Sequence, residues 1–213
     1  GIGCEGGGGN GEGEPNSEGN GENDINNDIT DPCIRYNVEQ ILSRDCKNEL
    51  TKFVNEIFDN NKEFDLVLTS LPFANNSSMA AYTVTEVPLI DVLRTSIKFN
   101  TNVLSGATQE YITTVIFHEF THAWINHFYT SPHTNAEQHN MMTNSPRFSA
   151  LVEALLEMFG GPNGTLSYQD AVDLAWGGNT DSIAFNNLPS TERNRILQRI
   201  QDFKTGVSGT PCQ

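Results

Sequence analysis

The sequence predicts an α+β fold, a small sheet packed on one long helix with further helices toward the C-terminus. Residues 64–100 hold short segments of period-two alternation, while the segments on either side repeat their apolar residues every three or four positions. Strands grouped in one run between helices make an α+β domain rather than an alternating α/β one. Size agrees: 213 residues with 37% hydrophobic content suffice for one domain with a full core.

Residues 1–30 stand apart. Gly6 to Gly9 run consecutively, Glu and Asn fill most of the rest, and residues 1–32 carry eight acidic side chains with no Lys or Arg. Such a segment cannot bury a core, which predicts a disordered, self-repelling tether. It suits a link to an upstream domain or to a lipid on Cys4, although Gly1-Ile2-Gly3 is a poor lipidation signal. The folded domain is expected to occupy 31–213.

Residues 37–60 read as helix broken near Ser43-Arg44, with Ile41, Leu42, Leu50, Phe53, Val54, Ile57 and Phe58 inside. Phe64, Leu66 and Leu68 alternate with Asp65, Val67 and Thr69 as a half-buried strand. Asn75 to Ser78 reads as a turn. Tyr82–Val87 and Thr95–Asn100 read as strands, with Ile97 and Phe99 facing inward. Thr108 is a candidate N-cap for a helix across 107–131, which lacks Pro and Gly and is apolar on most sides, hence buried. Thr130 to Asn135 reads as loop. Ser145 and Pro146 open a helix that buries Ala150, Leu151, Ala154, Leu155 and Phe159 and ends at Gly160-Gly161-Pro162. Ser167 and Asp170 resemble a capping box for a short helix through Trp176. Ser190 caps a last helix through Phe203, ended by Gly206.

The net charge is −15 and no basic run occurs. Nucleic acid is therefore excluded as an expected partner, because phosphate binding needs Lys and Arg to displace counterions. No stretch of 18 apolar residues exists, so no transmembrane helix is expected, and the domain is expected to be monomeric. Cys4, Cys33, Cys46 and Cys212 contain no C-x-x-C pair. An even number of cysteines beside an acidic tail favours an exported bacterial protein with at least one disulfide. Buried free cysteines of a cytosolic enzyme are the competing reading.

All five histidines fall between His118 and His139. Two of them form His118-Glu119-Phe120-Thr121-His122, the H-E-x-x-H pattern. Residues four apart share one helix face, so both imidazoles can reach one metal ion, with Glu119 placed to take a proton from a water there. The alternative is two core histidines satisfied by hydrogen bonds, with Glu119 in an ion pair.

A catalytic zinc needs three protein ligands and an open position. His127 lies about 180° around the helix from His118 and faces away, which suits a helix-end residue near the last carbonyls. His133 sits in the loop. His139 follows that loop, where the chain can double back. Glu153 and Glu157 lie on the next helix at a spacing used by glutamate-type sites. Spacing alone leaves His139 and Glu153 as rivals.

Residues 97–142 resemble the SprT-like zincins, in particular metallopeptidase domains of Bacteroidetes-type bacteria. The matching stretches are Ile97 to Asn100, Leu104 to Ile112, His118 to Ala123, Gln138-His139-Asn140-Met141-Met142 and Asp173-Leu174-Ala175-Trp176-Gly177-Gly178. The Asp31-Pro32-Cys33 entry is similar too, so the likeness covers roughly 31–205. It departs at Asn179, where Leu is expected, and nothing resembles the nucleic-acid-binding regions of some SprT-like proteases. The resemblance implies a zincin-like fold, one zinc ion on His118, His122 and His139, and Glu119 as general base. It also implies hydrolysis of a peptide or protein substrate held along an edge strand, for which Thr95–Asn100 is the candidate. Tyr129, His127 and His133 are candidate oxyanion stabilisers. A non-enzymatic surface binding module with a structural metal is the alternative function.

Overall fold

The computed structural model describes residues 25–43, 46–58, 64–74, 77–86, 93–129, 133–144 and 146–212. The chain order is β1 (Ile25–Asp28), α1 (Pro32–Leu42), α2 (Glu49–Phe58), β2 (Phe64–Leu71), β3 (Ala81–Glu86), β4 (Leu93–Asn100) and α3 (Thr101–Leu104). Then come α4 (Gln109–Phe128), α5 (Asn135–Met142), α6 (Arg147–Phe159), α7 (Tyr168–Ala175), α8 (Ile183–Asn186) and α9 (Ser190–Lys204). The architecture is α+β. Among the described residues the sheet runs β1-β2-β4-β3, with β1, β2 and β4 parallel and β3 antiparallel to β4.

The sheet begins earlier than composition implies. Ile25–Asp28, inside the stretch expected to be tether, pairs with Leu66–Thr69, and Ile29 is fully buried. An edge strand needs mainly its backbone to join an existing sheet, so a polar segment such as Ile-Asn-Asn-Asp can serve. The earlier residues of the expected tether, Cys4 included, lie outside the described residues, as do Asn75, Asn76, Val87 and Ser145.

A second correction concerns Thr95–Asn100. β4 is not an edge: it is bonded on one side to β2 and on the other to β3. The free edge beside α4 belongs to β3. Alternation does show in the inward residues, since Leu66, Leu68, Ile97 and Phe99 are fully buried on one face. That face packs with Ile112, Ile116, Phe117 and Phe120 of α4 in a single core.

Local chemistry explains the helix starts. Asp31 accepts from the Cys33 and Ile34 amides at 3.0 Å, with Pro32 in the first turn, so α1 begins before Asn37. Thr108 caps α4 by accepting from the Tyr111 amide. Thr134 and Glu137 form a full capping box that starts α5. The residues capping α6 and α9 are Pro146 and Pro189, with no side-chain cap bond, so Ser190 is the first residue of α9 and not its cap. α8 is capped by Ser182 and was not expected from periodicity.

The C-terminal segment straps the start of α4. Buried Glu110 accepts from Thr165 Oγ1 at 2.6 Å and from the amide and hydroxyl of Thr210 at 2.8 Å each. Gly209 has φ +93°, and a Cβ there would stand 2.6 Å from Glu110 Oε2. Pro211 bridges to Thr108, and Cys212 is bonded to Cys33, 179 residues earlier. No described cysteine is free.

Replacing Cys33 and Cys212 together with Ala should lower unfolding free energy by about 2–5 kcal/mol, because a long loop is released in the unfolded chain. Urea unfolding of the oxidised protein and the double variant measures this, and an unchanged midpoint would contradict it.

Candidate metal centre

The centre is built on α4, which is buried on nearly every side and so carries polar groups into the interior. His118, Glu119 and His122 are 7%, 4% and 7% exposed. His118 and His122 lie one turn apart, and their Nε2 atoms approach to 3.1 Å. α5 crosses over and adds His139, whose ring centroid is 5.3 Å from that of His118 and 5.2 Å from that of His122. One ligand atom from each of the three lies within 4.8 Å of the others. The group could hold a metal ion.

The hydrogen bonds around the rings fit this. Gln138 Nε2 donates to Asn126 Oδ1 at 3.0 Å and to the His133 carbonyl at 3.3 Å. Its Oε1 is thereby turned to His122 Nδ1 at 2.5 Å, so His122 donates through Nδ1–H and keeps a lone pair on Nε2. His139 Nδ1 stands 2.6 Å from Asp181 Oδ1, and a carboxylate acceptor selects the same tautomer. His118 Nδ1 is buried without a protein partner. Inward-facing lone pairs repel one another without a cation between them, so this donor set suits a metal ion.

Charge points the same way. Burial, together with the His122 and His139 rings, holds His118 well below the usual imidazole range. Burial lowers His122 to about 4, against the Gln138 hydrogen bond. Both rings are therefore neutral near pH 7, the state a metal requires. Burial lifts Glu119 to about 7, partly opposed by Thr83. Thr83 Oγ1 on β3 donates to Glu119 Oε2 at 2.6 Å. The other carboxylate oxygen takes no hydrogen bond from the described residues, and Glu119 lines the same cavity of about 390 Å³ as the three histidines.

The Trp176-Gly177-Gly178 stretch acts on His118. Gly178 has φ +82°, and a Cβ there would fall 2.6 Å from His118 Cε1. The glycine thus satisfies both the left-handed turn and close packing on the imidazole. The unexpected Asn179 is 1% exposed; its Nδ2 donates to the Ala175 carbonyl at 3.1 Å, while its Oδ1 is buried without a hydrogen-bond partner.

The remaining candidates are elsewhere. Glu153 is exposed on α6 and does not line the cavity. Glu157 accepts from the Lys47 and Asn48 amides at 2.7 and 2.9 Å, ahead of α2. His133 is 3.9 Å from Glu137 and stacks edge-on against Tyr129. His127 packs edge-on against Phe64 at 4.5 Å, and burial pushes its ring below the ordinary value, away from the charged helix-end role. None of Tyr129, His127 and His133 lines the cavity, so the candidate oxyanion roles find no support there. Thr83, Asn126 and Asp181 escaped sequence reading, since a lone polar residue in a strand, helix or loop carries no signal. Gln138 was within a noted motif, but its role depends on tertiary contact.

The chain matches no protein-family model, no curated protein and no solved structure with which it was compared.

Two outcomes follow. Gln138→Ala should weaken metal affinity by about 10–100-fold, read by competition with a chromophoric chelator, and unchanged affinity would remove Gln138 from the centre. Glu119, raised from 4.5 to about 7, contributes stability that is full below 4.5 and lost as pH rises through 7. Metal-free Glu119→Gln should therefore gain on metal-free wild type between those pH values, by roughly 3 kcal/mol, and level off above. Urea unfolding in chelator checks this, and a pH-independent difference would contradict it.

Proposed function

We propose that the chain is a zinc metalloendopeptidase of zincin-like type, exported from a bacterial cell. The observation that carries the reading is Glu119, a buried carboxylate with one oxygen open to the cavity on which His118, His122 and His139 converge. A site that only held a metal for structure would need no buried base beside it. Three imidazoles with no thiolate suit zinc, which when bound supplies a Lewis acid and makes a water more acidic.

Glu119 accepts the proton of the attacking water and returns it to the departing amine nitrogen. Thr83 fixes which carboxylate oxygen faces the cavity, and Gln138 and Asp181 keep the two ligand rings in register. The substrate backbone lies along the free edge of β3, where strand addition supplies the hydrogen bonds. Ser78 to Thr83 line the cavity, which favours β3 over β4 for that role. The disulfide supports export, since such bonds persist in oxidising compartments. No helix among the described residues is long and apolar enough to cross a membrane.

Glu119→Ala should retain metal and lose peptide hydrolysis by at least about 10²-fold. The assay is digestion of unfolded protein substrates, with and without chelator, alongside metal content. Cleavage that survives both the substitution and the chelator would end the enzymatic reading, and metal binding without cleavage would favour the binding module.

A further inference from the structure

β3 and α4 run in the same direction across the cavity. Thr83 bonds to Glu119, and two residues on, Thr85 accepts from Asn126 Nδ2 at 3.0 Å, about two helical turns on. Two residues back on the strand, about 6.6 Å, and one turn back on the helix, about 6 Å, bring Ala81 level with Val115, with Ala80 and Thr114 the residues before them. The cavity lining contains all four. Gly177 closes the third side, where an added Cβ would lie 3.8 Å from Thr114 Cγ2. Tyr111, two turns before His118 on the same helix face, lines the far end and is 8% exposed.

This arm of the cavity is built of small or apolar neutral groups. Among the described residues, none of the Asp, Glu, Lys or Arg side chains except Glu119 lines the cavity. Of the charges beside it, Lys98 lies over the Tyr82 ring at 5.6 Å, and Asp181 is held by His139 Nδ1 at 2.6 Å; neither lines the cavity. A charged side chain entering the arm would lose its water and find no counter-ion, whereas an aliphatic one would replace water against Val115 and the alanines.

We propose that this arm is a specificity pocket for a neutral, aliphatic side chain of a residue next to the scissile bond. The inference rests on the metallopeptidase reading and names its substrate class. The chain's net charge of −15 acts differently. It attracts cationic substrates through solvent over about one Debye length, ~8–10 Å, so Lys is accepted at remote positions and refused in the pocket.

The test is a set of quenched fluorescent peptides varied at both residues flanking the scissile bond, with Lys also placed four residues away. At one flanking position, Leu, Val and Ala should exceed Lys, Arg, Asp and Glu by at least tenfold in kcat/KM. Remote Lys should cost nothing and should help at low salt. Val115→Asp should raise Lys and Arg at that position by at least tenfold relative to Leu. Val115→Phe, which keeps the wall apolar, should shift preference from Leu to Ala. Equal cleavage of neutral and charged peptides would overturn the pocket while leaving the peptidase intact, as would specificity unmoved by Val115→Phe. No metal-dependent cleavage of any peptide would overturn both readings.

Discussion

The 2.5 Å hydrogen bond between His122 Nδ1 and Gln138 Oε1 joins the helix that carries two imidazoles to the helix that carries the third. This bond and the one from Gln138 to Asn126 hold α5 over α4, because its own sequence offers few apolar residues and only Gln138 and Met142 are buried. The bond is backed by a relay in which Gln138 donates to Asn126, Asn126 to Thr85, and Thr85 contacts Thr95 at 3.1 Å. Thr95 lies on β4 in the middle of the sheet. One of the three imidazoles is thus tied through side chains to an inner strand of the sheet. Such chains matter because a buried amide with all its bonds made has one arrangement. The two residues after Gln138 use the same short helix. His139 turns inward, and Asn140 accepts from the Ile183 amide at 2.7 Å, which pins the loop that carries Asp181.

The centre runs against the usual logic of a core. Two neutral imidazoles, an orphaned Nδ1 and a carboxyl raised by burial sit on the best-buried helix of the chain. In the absence of an ion this arrangement costs stability, and the surrounding apolar core and the strapped C-terminus offset that cost. Perturbed groups of this kind, gathered at one cavity, are characteristic of sites shaped by function. A cation at the convergence point would satisfy the inward lone pairs and lessen the penalty on Glu119, so its binding would be coupled to stability.

Much of the centre is legible in the sequence because helix geometry is local. His118 and His122 follow from i,i+4 spacing, Glu119 from its place between them in the motif, and the same rotation removes His127. His139 required more than spacing: resemblance favoured it over Glu153, and exposure of Glu153 agrees. The Thr134-x-x-Glu137 box that starts α5 is present in the sequence, but the segment lacks an apolar stripe and so reads as loop. β1 was missed for a related reason, since it joins the sheet through its backbone and its residues resemble the acidic tether. The edge assignment failed for β4 because strand order is a property of the whole sheet: hydrophobic alternation says which face is buried, not which neighbours a strand has. The partners Thr83 and Asp181, reached across 36 and 42 residues, could only come from the fold.

The central claim is that one ion sits where the three imidazoles converge. Diffraction from crystals of the protein grown with zinc, with anomalous data on both sides of the zinc edge, addresses it most directly. The account predicts a single edge-dependent peak about 2.0–2.2 Å from Nε2 of His118, His122 and His139, with an open fourth position toward Glu119. A peak that omits His139, includes Glu153 or Glu157, or is absent from the cavity would contradict it.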